Sequence, residues 1–404
     1  MSVRILQGDC LEILPTLDAD SIDSVVTDPP YHLTSIVKRF GADNAAPAQF
    51  GKDGAFARAS KGFMGKQWDG GDVAFRPETW AAVYRVLKPG AHLLAFGGTR
   101  GHHRMFCAIE DAGFEIRDCV LWLYGSGFPK SHNAGGGWGT ALKPAWEPVC
   151  LARKPLIGTV AETILKHGTG ALNIDGGRVA TDGEVITAGL SDPANRVGVV
   201  GSDLGISRAS KDKFQAAQAA SLERANALGR WPANVIHDGS DEVLAAFPES
   251  DHARGNKTVK WHVGKQATVQ NAPIGGLESG FSGDEGSTAR FFYTAKADAD
   301  DRWGSRHPTV KPVDLIAYLC RLVTPPNGIC LDPFAGTGTT GEACMREGFN
   351  AVLIEREAEY VADIKERIAY CEGKAKHSVS SRGRHADKGK AAGIDTPLFK
   401  RGTP

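Results

Sequence analysis

The sequence lacks any long run of apolar residues. None of its 404 residues lies in a window that approaches the roughly 20 apolar residues needed for a membrane-spanning helix. Its first residues, MSVRILQGDCLEIL, also lack the basic stretch and the small-residue cleavage site of a secretory signal. These two absences argue against membrane association and predict a cytoplasmic protein.

An excess of charge is also lacking. The chain has 47 lysines and arginines and 47 aspartates and glutamates, so its formal net charge is zero. Overall electrostatics therefore give no argument for a nucleic-acid partner, and any basic surface must be local. Among the eight cysteines, no two have the short spacing of a zinc or iron–sulfur site. We expect reduced, mostly buried thiols and no metal.

What the sequence does contain is an alternation of strand-like and helical segments. In residues 1–155, apolar runs such as VRILQGD and AHLLAFGG alternate with helical stretches. One helix is predicted where Trp80, Val83, Tyr84 and Leu87 recur at helical spacing, with LysProGly ending the run. Alternation of this kind predicts βα units and a mainly parallel sheet, hence an α/β fold.

The alternation divides the chain into four regions. It is lost in residues 156–303, which have the composition of an inserted module, and it returns in residues 304–370. Residues 371–404 contain few apolar side chains and many basic ones, which predicts a disordered basic tail.

The segment LDPFAGTGTT lies between a predicted strand and a predicted helix. Gly336 and Gly338 allow a sharp turn close to a ligand, and the following helix offers its N-terminal amides. Alone, such a turn also fits simple tight packing. Glu355, at the end of the next predicted strand, strengthens the ligand interpretation because doubly wound folds place a ribose-binding carboxylate near this position. No GlyLysSer or GlyLysThr follows, so we expect an adenosine ligand without a polyphosphate.

A second motif, Asp28-Pro29-Pro30-Tyr31, ends the predicted strand SVVTD. The two prolines fix an extended turn and remove two amide donors, so carbonyl oxygens dominate. An acid, rigid carbonyls and an aromatic ring form a site for an amino group on a flat ring, because hydrogen bonds to both amine protons would localise the nitrogen lone pair. The alternative is that the tetrapeptide is only a strand-ending turn.

The two motifs together resemble those of the DNA amino-methyltransferases that form N6-methyladenine or N4-methylcytosine. DPPY preceding FAGTG resembles the order in their beta subclass. The resemblance implies a Rossmann-like AdoMet-dependent methyltransferase fold with a mainly parallel seven-stranded sheet, circularly permuted. Residues 1–155 would be the catalytic half, residues 156–303 an inserted target-recognition region, and residues 304–370 the AdoMet-binding half.

Further segments fit the same family. GlyAspCys at residues 8–10 resembles the loop whose acid reaches the cofactor adenosine, and HisProThrValLysPro at residues 307–312 resembles the segment beside the methionine end of the cofactor. The resemblance thus implies S-adenosyl-L-methionine as cofactor, bound by Asp9, Thr309, Lys311, Asp332, Phe334, Gly336, Gly338 and Glu355. The catalytic residues would be Asp28, Pro29, Pro30 and Tyr31.

The implied partner is double-stranded DNA, with the target base extruded from the duplex to reach the site. No metal and no covalent intermediate are expected. Residues 32–72 mix basic and aromatic side chains, which suits either DNA contact or a solvated insertion; the candidate contacts are Lys38, Arg39, Lys61 and Lys66. A homodimer and a cognate restriction enzyme are further partners that the resemblance leaves open.

The target base and the rival functions remain to be distinguished. Asp as the first residue of DPPY favours adenine N6, whereas the members of the family that act on cytosine N4 more often have Ser there. Cytosine N4 is the alternative target. RNA or a protein amide is disfavoured as substrate because those relatives usually carry AsnProPro after the glycine motif. A noncatalytic nucleic-acid binder with the same fold is the alternative from another class.

Overall fold

The structure is a computed structural model that describes residues 1–31, 72–127, 133–181, 220, 223–251, 285–295, 301, 305 and 310–373. The chain divides into two compact units. One consists of Met1–Gly177, Ala233–Val243 and Tyr293–Pro404, and the other of Arg178–Pro232 and Leu244–Phe292. The segments 156–177, 233–243 and 293–303 thus group with the first unit, so the inserted region proposed from the sequence contributes strands to the main sheet.

The secondary structure follows the predicted alternation. In chain order the strands are β1 Val3–Gln7, β2 Ile22–Thr27, β3 Leu87–Phe96, β4 Glu115–Leu123, β5 Asn133–Gly135, β6 Trp138–Gly139, β7 Trp146–Arg153, β8 Val235–His237, β9 Glu249–Asp251, β10 Glu285–Ser287, β11 Tyr293–Thr294, β12 Ile329–Asp332 and β13 Asn350–Glu355. The helices are α1 Cys10–Ile13, α2 Pro77–Val86, α3 His102–Asp111, α4 Val160–His167, α5 Asp241–Leu244, α6 Val313–Val323, α7 Thr339–Glu347 and α8 Ala358–Cys371.

The first unit is built on one sheet with the strand order β1-β13-β12-β2-β3-β7-β4-β8-β11. Every neighbouring pair is parallel except those that involve β7, which runs antiparallel to β3 and β4. The α/β class and the mainly parallel sheet are therefore confirmed. The predicted count of seven strands is wrong for the described residues, because the short strands β8 and β11 extend the sheet to nine beyond β4.

Helix α2 shows one local difference from the prediction. It ends at Val86, and Leu87 already begins β3, which continues through Lys88, Pro89 and Gly90. The pairing of β3 with β2 shifts register between Ile22 and Ser24, so the proline is accommodated where the regular ladder is interrupted. The LysProGly segment thus lies within the strand instead of in a turn.

The sheet is covered on both faces, and successive residues of the central strands alternate between two cores. Such period-two alternation is what a strand buried on both faces requires. One core, with α2 and α3, receives Val25, Leu93 and Leu331; the other, with α6 and α7, receives Val26, Leu94 and Cys330.

The arrangement fixes where a ligand can bind. Strands β1, β13, β12 and β2 are parallel neighbours, so their carboxyl ends meet at one edge of the sheet. From β12 the chain continues to β13 on one side, whereas β2, on the other side, continues towards β3. Open α/β sheets bind ligands at such a switch in strand order. The glycine motif follows β12 and DPPY follows β2, so the fold brings both motifs to this edge.

The second unit contains an antiparallel pair, β9 with β10, and a bridge between Val179 and Arg230. The Arg178 guanidinium lies 5.4 Å from the centroid of the Trp231 ring. A Trp-Pro pair flanked by apolar residues, as in GRWPANVIH, predicts a packed tryptophan, whereas Trp231 is 64% exposed. An arginine beside its ring covers only part of this exposed indole.

The eight cysteines are all free, and five of them are buried, as expected. Three of the buried ones meet in the core, with Cys320 Sγ 4.0 Å from Cys330 Sγ and 3.9 Å from Cys344 Sγ. Sequence spacing gives no sign of this cluster because the three residues lie on α6, β12 and α7. Of the helices in the described part of the chain, none combines the length and hydrophobicity needed to traverse a bilayer.

Candidate active site

The DPPY motif forms a hydrogen-bonded cluster directly after β2. The Tyr31 hydroxyl donates to Asp28 Oδ1 at 2.8 Å, and Lys311 Nζ donates to Asp28 Oδ2 at 2.6 Å. Both carboxylate oxygens of Asp28 are therefore engaged by side chains. Lys311 lies just before α6 and is 283 residues from Asp28, so only the tertiary fold brings the two together.

A second carboxylate completes this cluster. Glu147, near the start of β7, has its Oε2 3.2 Å from Lys311 Nζ and 3.3 Å from the Tyr31 hydroxyl oxygen. Burial of Lys311 opposes its charge, yet Asp28 and Glu147 outweigh that effect and raise the pKa of the lysine. Burial, followed by the same two carboxylates, raises the pKa of Tyr31 well above its usual range. The site thus contains a protonated lysine between two carboxylates.

The Tyr31 ring is held against the end of β3. A Cβ atom on Gly98 would lie 3.1 Å from Tyr31 Cδ2, so the absence of a side chain lets the ring lie close to the backbone. Lys311 Nζ lies 5.4 Å from the Tyr31 centroid and 5.0 Å from the Phe96 centroid. These contacts position the aromatic ring beside the carboxylate.

The glycine turn adjoins this cluster through Asp332. Thr27 Oγ1 donates to Asp332 Oδ1 and Thr340 Oγ1 donates to Oδ2, each at 2.6 Å, and the Phe334 amide donates to Oδ1 at 3.1 Å. Thr27 immediately precedes Asp28, so one buried carboxylate connects the end of β2 to the turn after β12. Burial raises the pKa of Asp332 to about 7.

Glu355 closes the other side of the turn. Its Oε2 accepts from the Gly336 amide at 2.8 Å, and its Oε1 accepts from the Glu357 amide at 2.8 Å. Gly336 has φ 53° and Gly338 has φ 81°, a backbone region that favours glycine. The Gly8 amide donates to the Glu355 carbonyl oxygen at 3.0 Å, and Asp9 follows as the N-cap of α1, accepting from the Leu11 amide.

The structure therefore groups most of the predicted site residues at one edge. The predicted catalytic residues lie after β2, and Gly336, Gly338 and Glu355 form the adjoining turn. Lys311, assigned to the cofactor from the sequence, contacts Asp28. Asp332 is 3% exposed and directs both oxygens inwards. The predictions for Lys38, Arg39, Lys61, Lys66 and Thr309 lie outside the described residues.

Sequence reasoning missed Glu147. A single glutamate in the strand WEPVCLAR carries no motif and no fixed spacing to DPPY. It reaches the site because β7 runs antiparallel to its neighbours, which brings its first residues to the edge where β3 and β4 end. Only a correct prediction of this reversed strand could have found it.

Comparison with known proteins identifies the family. A family model for N6 and N4 enzymes, described as DNA methylase, matches residues 22–366. The chain belongs to this DNA methylase family. Among curated relatives, Type II methyltransferase M.HindIII from Haemophilus influenzae is 28% identical over 42% of this chain and 64% of its own length. Type II methyltransferase M2.LlaDCHI from Lactococcus lactis subsp. cremoris is 37% identical over 17% of this chain and 25% of its own.

The chain thus spans less than two thirds of the length of these two relatives.

Among solved structures, the cytosine-N4-specific PvuII DNA methyltransferase is similar over 94% of this chain and 89% of its own length, at 16% identity and a TM-score of 0.46. A complex of M1.HpyAVI with SAM is similar over 90% and 99%, at 15% identity and a TM-score of 0.37.

Proposed function

We propose that this DNA methylase family member transfers a methyl group from S-adenosyl-L-methionine to the N6 amine of an adenine in double-stranded DNA. The observation that carries the proposal is the Asp28–Tyr31–Lys311 cluster, which adjoins a glycine turn capped by Glu355 at the switch in strand order. A carboxylate and an aromatic ring that can bind an amine thus lie next to a turn that can bind an adenosine ligand.

The donor groups of the turn fit this cofactor. Glu355 uses one lone pair of each oxygen for backbone amides, which leaves acceptor capacity for the hydroxyls of a ribose. Asp9 follows the strand that pairs with β13, so a second carboxylate lies at the same edge. Negative groups suit hydroxyls and a sulfonium cation and repel a polyphosphate. S-adenosylmethionine supplies, when bound, a methyl group activated by the sulfonium.

The residues of DPPY suit the amine. A carboxylate oxygen of Asp28 and a proline carbonyl accept the two amine protons, which draws the nitrogen lone pair out of the ring. Tyr31 stacks on the base. With S-adenosylmethionine bound, the nitrogen would take the methyl group as the carbon–sulfur bond breaks, and the released amine proton would pass through the Asp28 carboxylate to water. A base reaches such a site only after extrusion from the duplex.

Adenine is proposed over cytosine because Asp28 is the first residue of DPPY, and the family resemblance associates Asp there with adenine. The relatives named as Type II methyltransferases support a role in restriction–modification. A cognate restriction enzyme and a second copy of this chain are the protein partners that this role suggests.

We further propose that the fold is a circular permutation. Helix α8, which follows β13, packs against β1 as well as β13. A crossover helix that joined β13 to β1 would occupy this place. Joining the chain ends and opening the chain before α6 would then give the order β12-β13-β1-β2-β3, a doubly wound sheet with the glycine motif first.

The test compares two carboxylate variants. Asp28→Asn should reduce methyl transfer from tritiated AdoMet to unmethylated DNA by more than about a hundredfold, since the amine loses its charged acceptor. Asp111→Asn, at the exposed end of α3, should transfer at the wild-type rate. Both variants should bind AdoMet with the wild-type Kd in calorimetry. An Asp28→Asn variant as active as wild type would refute the assignment of Asp28. A wild-type protein that binds AdoMet but transfers no methyl group would favour a noncatalytic role.

A further inference from the structure

Asp28 and Glu147 compete for the single hydrogen bond that the Tyr31 hydroxyl can donate. The Tyr31 hydroxyl has one proton and two carboxylate neighbours, Asp28 Oδ1 at 2.8 Å and Glu147 Oε2 at 3.3 Å. It therefore donates to one of them at a time. The shorter distance assigns this hydrogen bond to Asp28 when no base is bound.

Lys311 limits the other oxygen of Asp28. Its ammonium donates to Asp28 Oδ2 at 2.6 Å and also lies 3.2 Å from Glu147 Oε2 and 3.2 Å from the Tyr31 hydroxyl oxygen. Its side chain is 8% exposed, so water does not replace these partners easily. Each oxygen of Asp28 thus already accepts one hydrogen bond, and Oδ1, held by a neutral donor, is the one whose hydrogen bond is the easier to move.

Asp28 Oδ1 keeps a second lone pair, so a base amine can bind there, but the amine shares the charge of that oxygen with the Tyr31 hydroxyl as long as the hydroxyl donates to Asp28. We propose that Glu147 is a positioning residue that accepts the hydrogen bond of the Tyr31 hydroxyl when the amine binds, and so frees Asp28 Oδ1. This inference rests on the proposed amino-methyltransferase function. Glu147 acts through Tyr31 and does not touch the reacting atoms. Lys311 holds both carboxylates during the exchange.

The surroundings of Glu147 fit this role. Among the described residues, the charged and titratable groups around Glu147 are Asp28, Tyr31, Lys311 and Tyr124, which directly follows β4. Burial and then Glu147 raise the pKa of Tyr124 to about 12, so that phenol stays neutral. Lys311 supplies the positive charge that lets two carboxylates stand close together. Because Lys311 contacts both carboxylates, the Tyr31 hydroxyl is the group that can change its hydrogen-bond acceptor.

The experiment is a double-variant cycle between Glu147 and Tyr31. Glu147→Gln replaces a charged acceptor by a neutral one, so the Tyr31 hydroxyl stays on Asp28 and kcat should fall about tenfold or more, with the Kd for AdoMet unchanged. Tyr31→Phe removes the hydroxyl and keeps the ring. The double variant should therefore be faster than Glu147→Gln alone, because no hydroxyl then shares Asp28 Oδ1 with the amine.

The matched control is Glu115→Gln. Glu115 also pairs with a buried cation, Arg153, but at the opposite end of β4 from the site. It should keep the wild-type kcat. Glu147→Asp, which keeps the charge, should retain more activity than Glu147→Gln and serves as the second variant if the glutamine variant unfolds.

Two results would overturn the inference while the proposed function stands: a Glu147→Gln variant with wild-type kcat, or a loss of the same size in the wild-type and Tyr31→Phe backgrounds. Equal losses would indicate a structural role that does not act through the hydroxyl. If the wild-type protein transfers no methyl group to DNA, the proposed function fails and the inference fails with it.

Discussion

At the scale of single residues, the site depends on buried carboxylates that accept hydrogen bonds from short side chains and backbone amides. Asp332 accepts from Thr27, Thr340 and the Phe334 amide, and it is 3% exposed. Its hydrogen bonds favour the ionised form, but burial outweighs them and raises its pKa to about 7. Because the pKa of this carboxyl group differs between the folded and unfolded protein, the stability of the turn depends on pH.

This coupling gives a prediction for stability. Because the folded pKa of Asp332 lies above the ordinary value of 3.8, its contribution to stability is complete below about pH 4 and is lost as pH rises to about 7. The free energy of unfolding of wild type relative to Asp332→Asn should therefore fall by up to about 4 kcal/mol over this range. Urea titrations at stepped pH measure it. A difference that is constant with pH would contradict the assignment.

Glu355 gives a prediction for cofactor binding. Glu355→Gln should weaken the binding of AdoMet by about ten- to a hundredfold in calorimetry, because a hydrogen bond to a charged group contributes about 1.5–3 kcal/mol. Glu357→Gln is the matched control, since its side chain is 45% exposed and pairs with Arg356. Equal Kd values for the two variants would show that Glu355 does not face the ribose.

Several site residues could be predicted from the sequence and others could not. Asp28 and the glycines belong to short contiguous motifs whose chemistry is local. The contact of Lys311 with Asp28 and the presence of Glu147 depend on pairings across 283 and 116 residues, which no local pattern encodes. Asp332 was predicted within the motif, but its inward direction follows from the position of Thr27 on the neighbouring strand.

At the scale of elements, the turn between β12 and α7 depends on a glycine backbone. Gly338 has φ 81°, and a Cβ atom there would lie 3.1 Å from Ile364 on α8. Gly348, at the other end of α7, has φ 83° with open space around it. The two glycines thus share a backbone conformation and differ in what a side chain would meet.

Alanine at each position separates these two effects. Gly348→Ala should lower the free energy of unfolding by about 1 kcal/mol through the left-handed backbone alone. Gly338→Ala should lower it by about 2 kcal/mol or more, since Ile364 must also move, and should weaken AdoMet binding. Chemical denaturation and calorimetry check both. Equal losses of stability with unchanged AdoMet affinity would show that the contact with α8 is unimportant.

The elements themselves follow the sequence closely where periodicity is strong. Strands β12 and β13 and helix α7 lie where the sequence predicts them. Strands β8 and β11 have three and two residues, which is too few to show a period, so no sequence pattern predicts a nine-stranded sheet. The end of α2 was misplaced because LysProGly is accommodated within an irregular strand pairing.

At the scale of the whole molecule, the position of α8 between β13 and β1 supports the permutation proposal. A permuted chain that runs from Ser305 to Gly373, through a flexible linker to Ser2 and on to Asp301 should fold and bind AdoMet within about threefold of the wild-type Kd, since every strand keeps its neighbours. Circular dichroism and calorimetry measure this outcome. A permuted chain that folds but loses AdoMet binding would contradict the proposal.

The central claim is that the Asp28 site methylates an amine of a DNA base, and the most direct test identifies the product. Wild-type protein is incubated with unmethylated DNA and AdoMet, and the digested nucleosides are analysed by mass spectrometry. We predict N6-methyladenosine in its deoxy form, absent with Asp28→Asn and present with Asp111→Asn. N4-methylcytosine would correct the base, and DNA without any methylated nucleoside would contradict the claim.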